Sequence, residues 1–177
     1  MTAPERLIIE GCKHGVRSAQ KALYCHFKPM VFAVCLRYIR DSDESKDVLQ
    51  DIFLRAFSKI HQYKGQGSFE GWLKRLTVNY CLNVLKKKKQ FVTTPINDED
   101  FVDDSEVEEL AFSKDVLFEA LEAIPIVFSA VFSMYVLDGF THEEIAEELK
   151  IKEQTSRTRL HKAKMLLRQE LKKSYEY

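Results

Sequence analysis

The chain of 177 residues carries 27 Lys or Arg and 27 Asp or Glu, so its formal net charge is zero and favours no class of partner. Its hydrophobic content of 45% is ordinary for a globular protein, and the length suits one domain or two small ones. No signal pattern opens the sequence and no apolar run approaches membrane-spanning length, so we expect a cytoplasmic protein that does not insert into a membrane.

The cysteines and histidines give no pattern of a metal or catalytic site. The four cysteines form no C-x-x-C pair and suit no common zinc site, so we expect neither a metal nor another cofactor. Cys25, Cys35 and Cys81 lie in apolar helical patterns, which predicts buried free thiols. The five histidines are dispersed and accompany no recognisable nucleophile, so we expect a protein that is not an enzyme.

Helical periodicity dominates the first 60 residues, and no stretch alternates as a half-buried strand would. Gly15 interrupts the first pattern, and Pro29 suits the first turn of a new helix. Asp41 is a strong N-cap for the helix that follows. Predicted helices therefore cover 4–12, 18–27, 30–39 and 41–60. The last of these carries a mostly acidic stripe opposite its apolar face, which composition alone assigns to solvent: Asp47, Gln50, Asp51 and Leu54.

A glycine-containing loop, 61–68, leads into a helix predicted from Phe69 to about Lys88, which Ser68 can cap. One face of this helix repeats a base or an amide every four residues, and the helix ends in a lysine run, 86–89. Cations and amides in line, beside aromatic side chains, suit nucleic acid. The alternatives are core packing for the aromatic residues and, for the lysines, a solvated helix end that offsets the helix dipole.

Charge is segregated along the chain in spite of the neutral total. Residues 71–93 hold six bases and no acid, whereas residues 98–109 hold eight acids and no base. The acidic run, together with Pro95 and a lack of large apolar groups, predicts a flexible acidic linker over 93–112. The linker divides the chain into predicted domains at 1–92 and 113–177.

Two helices, near 116–124 and 126–137, precede a helix-turn-helix pattern. Thr141 and Glu144 have the spacing of a capping box, and a three-residue turn at 150–152 separates this helix from the one that runs from Glu153 to Leu171. From Lys150 to the end there are nine Lys or Arg and three Glu. A basic second helix is typical of a reader of the DNA major groove. The alternative is a helical hairpin with a solvated basic face.

The order of these parts resembles a small bacterial sigma factor of the extracytoplasmic-function (ECF) group, in the sigma-70 family. The segments RYIRDSDESKDVLQDIFLRAF and GSFEGWLKRLTVNYCLNVLKKKK are similar to domain two of that family. The segment LEAIPIVFSAVFSMYVLDGFTHEEIAEELKIKEQTSRTRLHKAKMLLRQEL is similar to domain four. The resemblance implies an all-α protein of two small helical domains that directs core RNA polymerase to promoters and aids promoter melting. A helix-turn-helix regulator that acts without polymerase, and an all-helical enzyme or adaptor, are the rival hypotheses.

The resemblance also implies residue roles. It assigns docking on the clamp of the largest polymerase subunit to Asp47, Gln50, Asp51 and Leu54, in place of simple solvation. It assigns the minus-ten element, with a flipped base held by the loop 61–68, to Tyr63, Lys64, Trp72, Arg75, Asn79, Asn83, Lys86 and Lys87. It assigns the minus-thirty-five element to Gln154, Thr155, Ser156, Arg157, Arg159, Lys162 and Lys164. Gln154, Ser156 and Arg157 would contact base edges. Arg159, Lys162 and Lys164, which the helical period places on the exposed face, would contact phosphates. The implied partners are core polymerase (including the flap of the second-largest subunit), promoter DNA and an anti-sigma factor, possibly membrane-anchored.

Overall fold

The computed structural model describes residues 3–88 and 113–173, so the predicted linker over 93–112 lies outside the described residues. The described residues form eight α-helices without a strand among them, and they fall into two compact units. The N-terminal unit ends at Val84 and the C-terminal unit begins at Leu85. The all-α, two-domain fold class is thereby confirmed.

The N-terminal unit begins with two helices that approach each other closely. They are α1 (Ala3–Lys13) and α2 (Arg17–Ile39), joined by a turn in which Gly15 has φ 71°. A Cβ placed on Gly11 would lie only 2.7 Å from the Cβ of Ala19, well inside the usual carbon–carbon contact distance. The small residue at position 11 is therefore what lets α1 lie against α2.

The predicted break at Pro29 is wrong, because α2 continues through this proline. Proline lacks the N–H that would bond the carbonyl of Cys25, so one helical hydrogen bond is lost there. Cys25 and Pro29 both lie on the exposed side of the helix, where water can bond the carbonyl. Meanwhile the buried stripe runs unbroken past the proline, through Leu23, Phe27, Val31, Val34, Cys35 and Tyr38. Continuous burial on one face therefore outweighs one missing bond on the other.

Helix α3 (Ser42–Lys59) begins as predicted, because the Asp41 carboxylate accepts a hydrogen bond from the Glu44 N–H at 2.7 Å. A 3₁₀ turn (Ile60–Gln62) ends it, and α4 (Phe69–Lys87) follows the loop. The Ser68 hydroxyl accepts from the Gly71 N–H at 3.0 Å, so the predicted cap of α4 is also present.

The thiols differ from the prediction at one position. Cys35 and Cys81 are buried, as expected, but Cys25 is exposed because it lies on the same side of α2 as Pro29. Cys12, for which no burial was predicted, is buried in α1. Burial raises the pKa of the Cys12 thiol, so this group stays protonated at neutral pH.

Beyond the last turn of α4, the described part of the C-terminal unit contains four helices: α5 (Lys114–Ala123), α6 (Ile126–Phe132), α7 (His142–Leu149) and α8 (Glu153–Lys173). Helix α8 packs on the other three, and Ala163, Leu167 and Leu171 form its contribution to a core shared with α5 and α6. Ser113 caps α5 by accepting from the Val116 N–H. The long apolar face of α8 therefore holds the unit together.

The helix predicted over 126–137 is two elements. After α6, the residues Ser133–Leu137 form a π-helical turn, closed by hydrogen bonds from the Asp138 N–H to the Ser133 carbonyl and from the Phe140 N–H to the Met134 carbonyl. The wider turn buries Met134 and leaves Tyr135 and Val136 on the surface. Gly139, with φ 74°, then redirects the chain into α7.

Candidate nucleic-acid interface

The acidic stripe on α3 lies at the surface of the N-terminal unit. Asp47, Gln50 and Asp51 are exposed, and Leu54 beside them is 69% exposed. Asp47, Gln50 and Asp51 surround Leu54 with polar groups, so no contiguous apolar patch forms at this surface. The structure thus brings all four predicted polymerase-docking residues onto one open face.

This face is tied to α4 by a contact that sequence reasoning missed. The Tyr80 phenol donates a hydrogen bond to Asp51 Oδ2 at 2.9 Å, and the Arg55 guanidinium lies 5.9 Å from the centre of the Tyr80 ring. Burial, and after it the bond to the Asp51 carboxylate, raises the pKa of Tyr80 above 10.0, so the phenol stays a donor. Asp51 is therefore held in one orientation by the neighbouring helix. The only feature of the sequence that could have indicated this contact was a tyrosine among the polar positions of α4.

The loop 63–68 is a closed turn with a fixed shape. Tyr63 donates from its hydroxyl to the Gly67 carbonyl at 2.9 Å, and its ring packs on Phe69 and Trp72 at centroid distances of 5.2 and 5.9 Å. Gly65 and Gly67 have φ of 79° and 77°, which a residue with a Cβ would adopt only at a cost of about 1–2 kcal/mol. The sequence of this loop therefore fixes its backbone.

Tyr63 is only 4% exposed, so its ring is part of the core and is not open to stack on a base. This position does not fit the base-pocket role predicted for it. Lys64 and Gln66 are exposed at the surface of the loop, and Trp72 is half-buried beneath it. An aromatic residue before a glycine-rich loop gave no signal of burial, because its packing partners come from the next helix.

Helix α4 carries the predicted polar row on one face. Arg75, Asn83 and Lys87 are exposed, whereas Asn79 and Lys86 are half-buried. Their spacing of about four residues places the row along one side of the helix, at the end of which the lysines lie. The row begins at Arg75, six residues after the start of α4, and the loop 63–68 precedes that start.

The helix-turn-helix has the predicted geometry. Glu144 accepts from the Thr141 N–H at 2.8 Å, and the Glu144 N–H donates to the Thr141 hydroxyl at 3.2 Å, which completes the capping box. Lys150 ends α7 in the left-handed conformation, with φ 55°, where glycine is usual. The three-residue turn then leads directly into α8, the candidate recognition helix.

The predicted DNA-contacting residues of α8 divide into three groups by exposure. Gln154 and Arg157 are exposed, and Arg157 is bonded to Glu153 one turn earlier in the helix. Thr155, Lys162 and Lys164 are half-buried. Ser156 is 0% exposed and Arg159 is 6% exposed, so the expectation that Arg159 lies on the exposed face is wrong.

Ser156 lies in the apolar stripe of α8, four residues before Leu160, and its hydroxyl is 2.9 Å from Nδ1 of His142. A side chain in this position does not fit the base-edge role predicted for Ser156. His142 itself was missed, because a lone histidine after an N-cap threonine carries no pattern. The spacing to Leu160 was the signal that could have placed Ser156 inside.

Other kinds of site find no support in the part of the chain that the structure describes. There, no group of three or more His, Cys, Asp or Glu is arranged to hold a metal ion. No helix among the same residues is both long and apolar enough to cross a bilayer.

Two family models match the chain, in order. The sigma-70 region 2 model matches residues 23–91, which include the α3 stripe, the loop 63–68 and α4. The sigma-70 region 4 model matches residues 114–167, which include the helix-turn-helix. Together the two models account for more than half of the chain.

Relatives of known function have similar sequences. An ECF RNA polymerase sigma factor, SigE, of Mycolicibacterium smegmatis is 29% identical over 149 residues, which are 81% of this chain but only 58% of the length of that relative. The ECF RNA polymerase sigma-E factor of Escherichia coli K12 is 25% identical over 175 residues, and the alignment covers 90% of both chains.

Two solved structures share the fold. The sigma factor RpoE of Bartonella quintana, in complex with the anti-sigma factor NepR, matches with a TM-score of 0.57 at 18% identity, over 86% of this chain and 96% of that one. CnrH, in complex with the cytosolic domain of CnrY, matches with a TM-score of 0.53 at 15% identity, over 92% and 94%. A regulator that acts without polymerase is not favoured by these similarities. The chain belongs to the sigma-70 family, as an RNA polymerase sigma factor of the extracytoplasmic-function type.

Proposed function

We propose that the two units divide the work of promoter recognition between an opened strand and an intact duplex. The observation that carries this proposal is the match to region 2 and region 4 in one chain, with an exposed, mostly acidic stripe on the first unit and a helix-turn-helix in the second. The chain then directs core RNA polymerase to specific promoters and helps to open them. Polymerisation belongs to the polymerase, so we expect the chain to have no catalytic activity of its own.

Docking on the clamp of the largest polymerase subunit falls to the α3 stripe. Leu54, 69% exposed, supplies apolar area, and Asp47 and Asp51 supply charge that would pair with a basic surface. Burying one such aliphatic side chain contributes about 1.5–3 kcal/mol, and the carboxylates add orientation and speed of association. Contact with the flap of the second-largest subunit would belong to the C-terminal unit.

Capture of the minus-ten element falls to the loop 63–68 and the polar row of α4. Lys64 is exposed on the loop, and Arg75, Asn79, Asn83, Lys86 and Lys87 continue along the helix. A flipped base costs a few kcal/mol of unstacking, so a loop whose shape is already fixed is an advantage. In this proposal Tyr63 and Trp72 hold the loop in place, and the exposed polar groups contact the strand.

Recognition of the minus-thirty-five duplex falls to the start of α8. Gln154 and Arg157 are exposed there, and an arginine that bonds both acceptors of a guanine contributes roughly 1–3 kcal/mol of discrimination. Lys162 and Lys164 would contact phosphates, with Thr155 at the edge. We leave Ser156 out of the base-reading set because its hydroxyl is engaged inside the unit.

Regulation by an anti-sigma factor is part of the proposal. The structure of RpoE from Bartonella quintana was obtained in complex with the anti-sigma factor NepR, and that of CnrH in complex with the cytosolic domain of CnrY. We therefore expect this chain to act in the cytoplasm and to be held there by a partner of the same kind.

Reconstituted transcription with core polymerase tests the proposal. The chain should bind core polymerase in a pull-down, and Asp51→Lys should weaken that binding by an order of magnitude or more, since it reverses a charge at the centre of the docking face. Tyr80→Phe is the matched control, because it removes the same hydrogen bond and leaves the carboxylate. If Asp51→Lys binds as well as the unmodified chain, the docking assignment is wrong.

The duplex-reading half has its own test. Arg157→Ala should relax the preference of the holoenzyme for particular minus-thirty-five sequences, and Arg157→Lys, which keeps the charge but loses the bidentate geometry, should relax it almost as far. An unchanged sequence preference in both variants would contradict the base-reading role of Arg157.

A further inference from the structure

A buried polar pair lies inside the helix-turn-helix. His142, the first residue of α7, has its Nδ1 atom 2.9 Å from the Ser156 hydroxyl, on α8. Both residues are buried, with exposed fractions of 8% and 0%. One face of the imidazole ring stacks on the Tyr135 ring, with ring centres 4.4 Å apart and planes at 21°. His142 therefore contacts both the π-helical turn and the recognition helix.

The pair lies between α7 and α8, at a position of the α8 stripe that is otherwise occupied by apolar side chains. Ser156 continues the stripe of Leu160, Ala163 and Leu167, which otherwise packs without hydrogen bonds. Apolar contacts tolerate small rotations and slides, whereas a hydrogen bond weakens steeply when its distance or angle changes. A polar pair at this point therefore fixes the rotation of α8 about its axis more tightly than an apolar pair of the same size.

Arg157 follows Ser156 directly, so its direction depends on that rotation. Adjacent helical residues differ by about 100° around the axis, and consequently an anchored Ser156 leaves Arg157 on the exposed side, as observed. We propose that the His142–Ser156 hydrogen bond is a positioning contact that orients the start of α8 and thereby sharpens the duplex sequence preference of the sigma factor. The inference rests on the proposed duplex-reading role of α8, and it deepens that role.

The charges around His142 favour its neutral form. Burial, followed by the nearby Arg157 and Lys164 of α8, lowers its pKa, and Glu153 acts in the opposite direction. The positive end of the α7 helix dipole also lowers the pKa of His142. The acids Glu143 and Glu144 of α7 act in the opposite direction, and Glu144 is engaged in the capping box. Tyr135, on the π-helical turn, is uncharged at neutral pH.

Protonation would leave a donor on Nδ1, so the bond itself can persist in acid. What changes is that a cation then lies buried near Arg157 and Lys164, and repulsion pushes the two helices apart. The positioning role therefore carries a signature that simple packing lacks: sequence preference should decline as the pH falls below the ordinary histidine pKa of 6.5.

The experiment uses the full chain with core polymerase and a duplex recovered by selection from a random library. The measured quantity is the affinity ratio between that duplex and a scrambled one. Ser156→Ala should lower the ratio by about fivefold or more, the loss expected for one net hydrogen bond, while binding to the scrambled duplex and to polymerase stays the same. His142→Asn, whose amide can take the place of Nδ1, should keep most of the ratio.

A pH series separates positioning from packing. As the pH falls from about 7.5 through the range in which histidine titrates, the ratio should fall more in the unmodified chain than in His142→Asn, which lacks this imidazole and keeps the other four histidines. Circular dichroism checks that each variant is folded. If Ser156→Ala does not fold, His142→Phe, which keeps a ring beside Tyr135 and removes the hydrogen bond, takes its place and should lower the ratio in the same way.

Two results would overturn the inference. One is a folded Ser156→Ala chain that keeps the full ratio. The other is an equal loss of affinity for the selected and scrambled duplexes, which would indicate a stability role only. If the unmodified chain with polymerase selects no duplex at all, the proposed function has failed, which is a distinguishable outcome.

Discussion

Replacing Gly67 with alanine tests whether the loop 63–68 depends on its left-handed backbone. Gly67 has φ +77°, and nothing lies within 4 Å of the position that its Cβ would take. The added methyl group therefore meets no neighbour, and the cost of keeping the loop unchanged is that of a left-handed alanine, about 1–2 kcal/mol. Steric clash with neighbouring atoms adds nothing to this free-energy cost.

The loop has an alternative to bearing that cost. It can relax and lose the hydrogen bond from Tyr63 to the Gly67 carbonyl, at 2.9 Å. A net hydrogen bond contributes about 0.5–1.5 kcal/mol, and a buried hydroxyl left without a partner costs about 1–3. Because Lys64, Gln66 and Ser68 are all exposed, the loop has room to move. We therefore expect partial relaxation and a loss of about 1–2 kcal/mol in the free energy of unfolding.

Urea unfolding followed by the fluorescence of Trp72 measures this loss. Trp72 is the single tryptophan, and its ring lies 5.9 Å from that of Tyr63, so it reports on the N-terminal unit. In the holoenzyme, a fluorescent base analogue in the minus-ten element should show slower or weaker opening with Gly67→Ala. Tyr63→Phe removes the same hydrogen bond, so the double variant should be less destabilised than the sum of the two single variants.

Gly71→Ala is the matched control. Gly71 is helical, and its Cβ would lie 3.1 Å from the Ser68 hydroxyl oxygen, which caps α4, so relieving this contact weakens the cap. The gain of about 0.5–1 kcal/mol from alanine in a helix offsets that loss, and we expect Gly71→Ala to change the stability less than Gly67→Ala does. If Gly67→Ala proves as stable as the unmodified chain, the explanation of the loop is refuted.

Three further predictions concern the packing and the pH response. Gly11→Ala should destabilise the N-terminal unit by about 1–2 kcal/mol in urea, because the overlap with Ala19 outweighs the gain in helix propensity; a more stable variant would contradict the close approach of α1 and α2. Lys150→Gly should raise the protection of α7 amides from hydrogen exchange by about 1 kcal/mol, since glycine adopts φ 55° without strain, and unchanged exchange would count against that strain. The pKa of His142 is lowered in the folded protein, so the unfolded chain gains a proton first as the pH falls. The stability of the C-terminal unit should therefore be constant above the ordinary histidine pKa of 6.5 and decline below it, and His142→Asn should remove this decline.

Local signals were enough to predict where most helices begin. The Asp41 cap, the Ser68 cap and the capping box of Thr141 and Glu144 each depend on side chains within three residues of the backbone groups that they bond. Because both partners lie close together in the sequence, such contacts can be predicted from it. The all-α class followed from them and from the apolar periodicity, whereas the division into two domains was predicted from the acidic run over 98–109.

The failures came from contacts between distant segments. Pro29 was predicted to divide α2, but the tertiary packing of one face decided the matter. Ser156 and Tyr63 are polar enough to suggest exposure, yet partners on other elements bury them. Arg159 lies next to the apolar stripe of α8, and an edge position can belong to either face. For these residues the sequence period predicts a side of the helix but not the neighbour that covers it.

The bond between Tyr80 and Asp51 has a consequence for the order of events at a promoter. The same carboxylate would serve as a ligand for the polymerase and as the acceptor for the phenol on α4. If the two proposed roles hold, a polymerase that withdraws Asp51 from the phenol would also alter the helix proposed to contact the minus-ten strand. By thermodynamic reciprocity, strand capture that shifts Tyr80 would then change the affinity for the polymerase by the same free energy. One hydrogen bond would thus couple polymerase binding to strand capture.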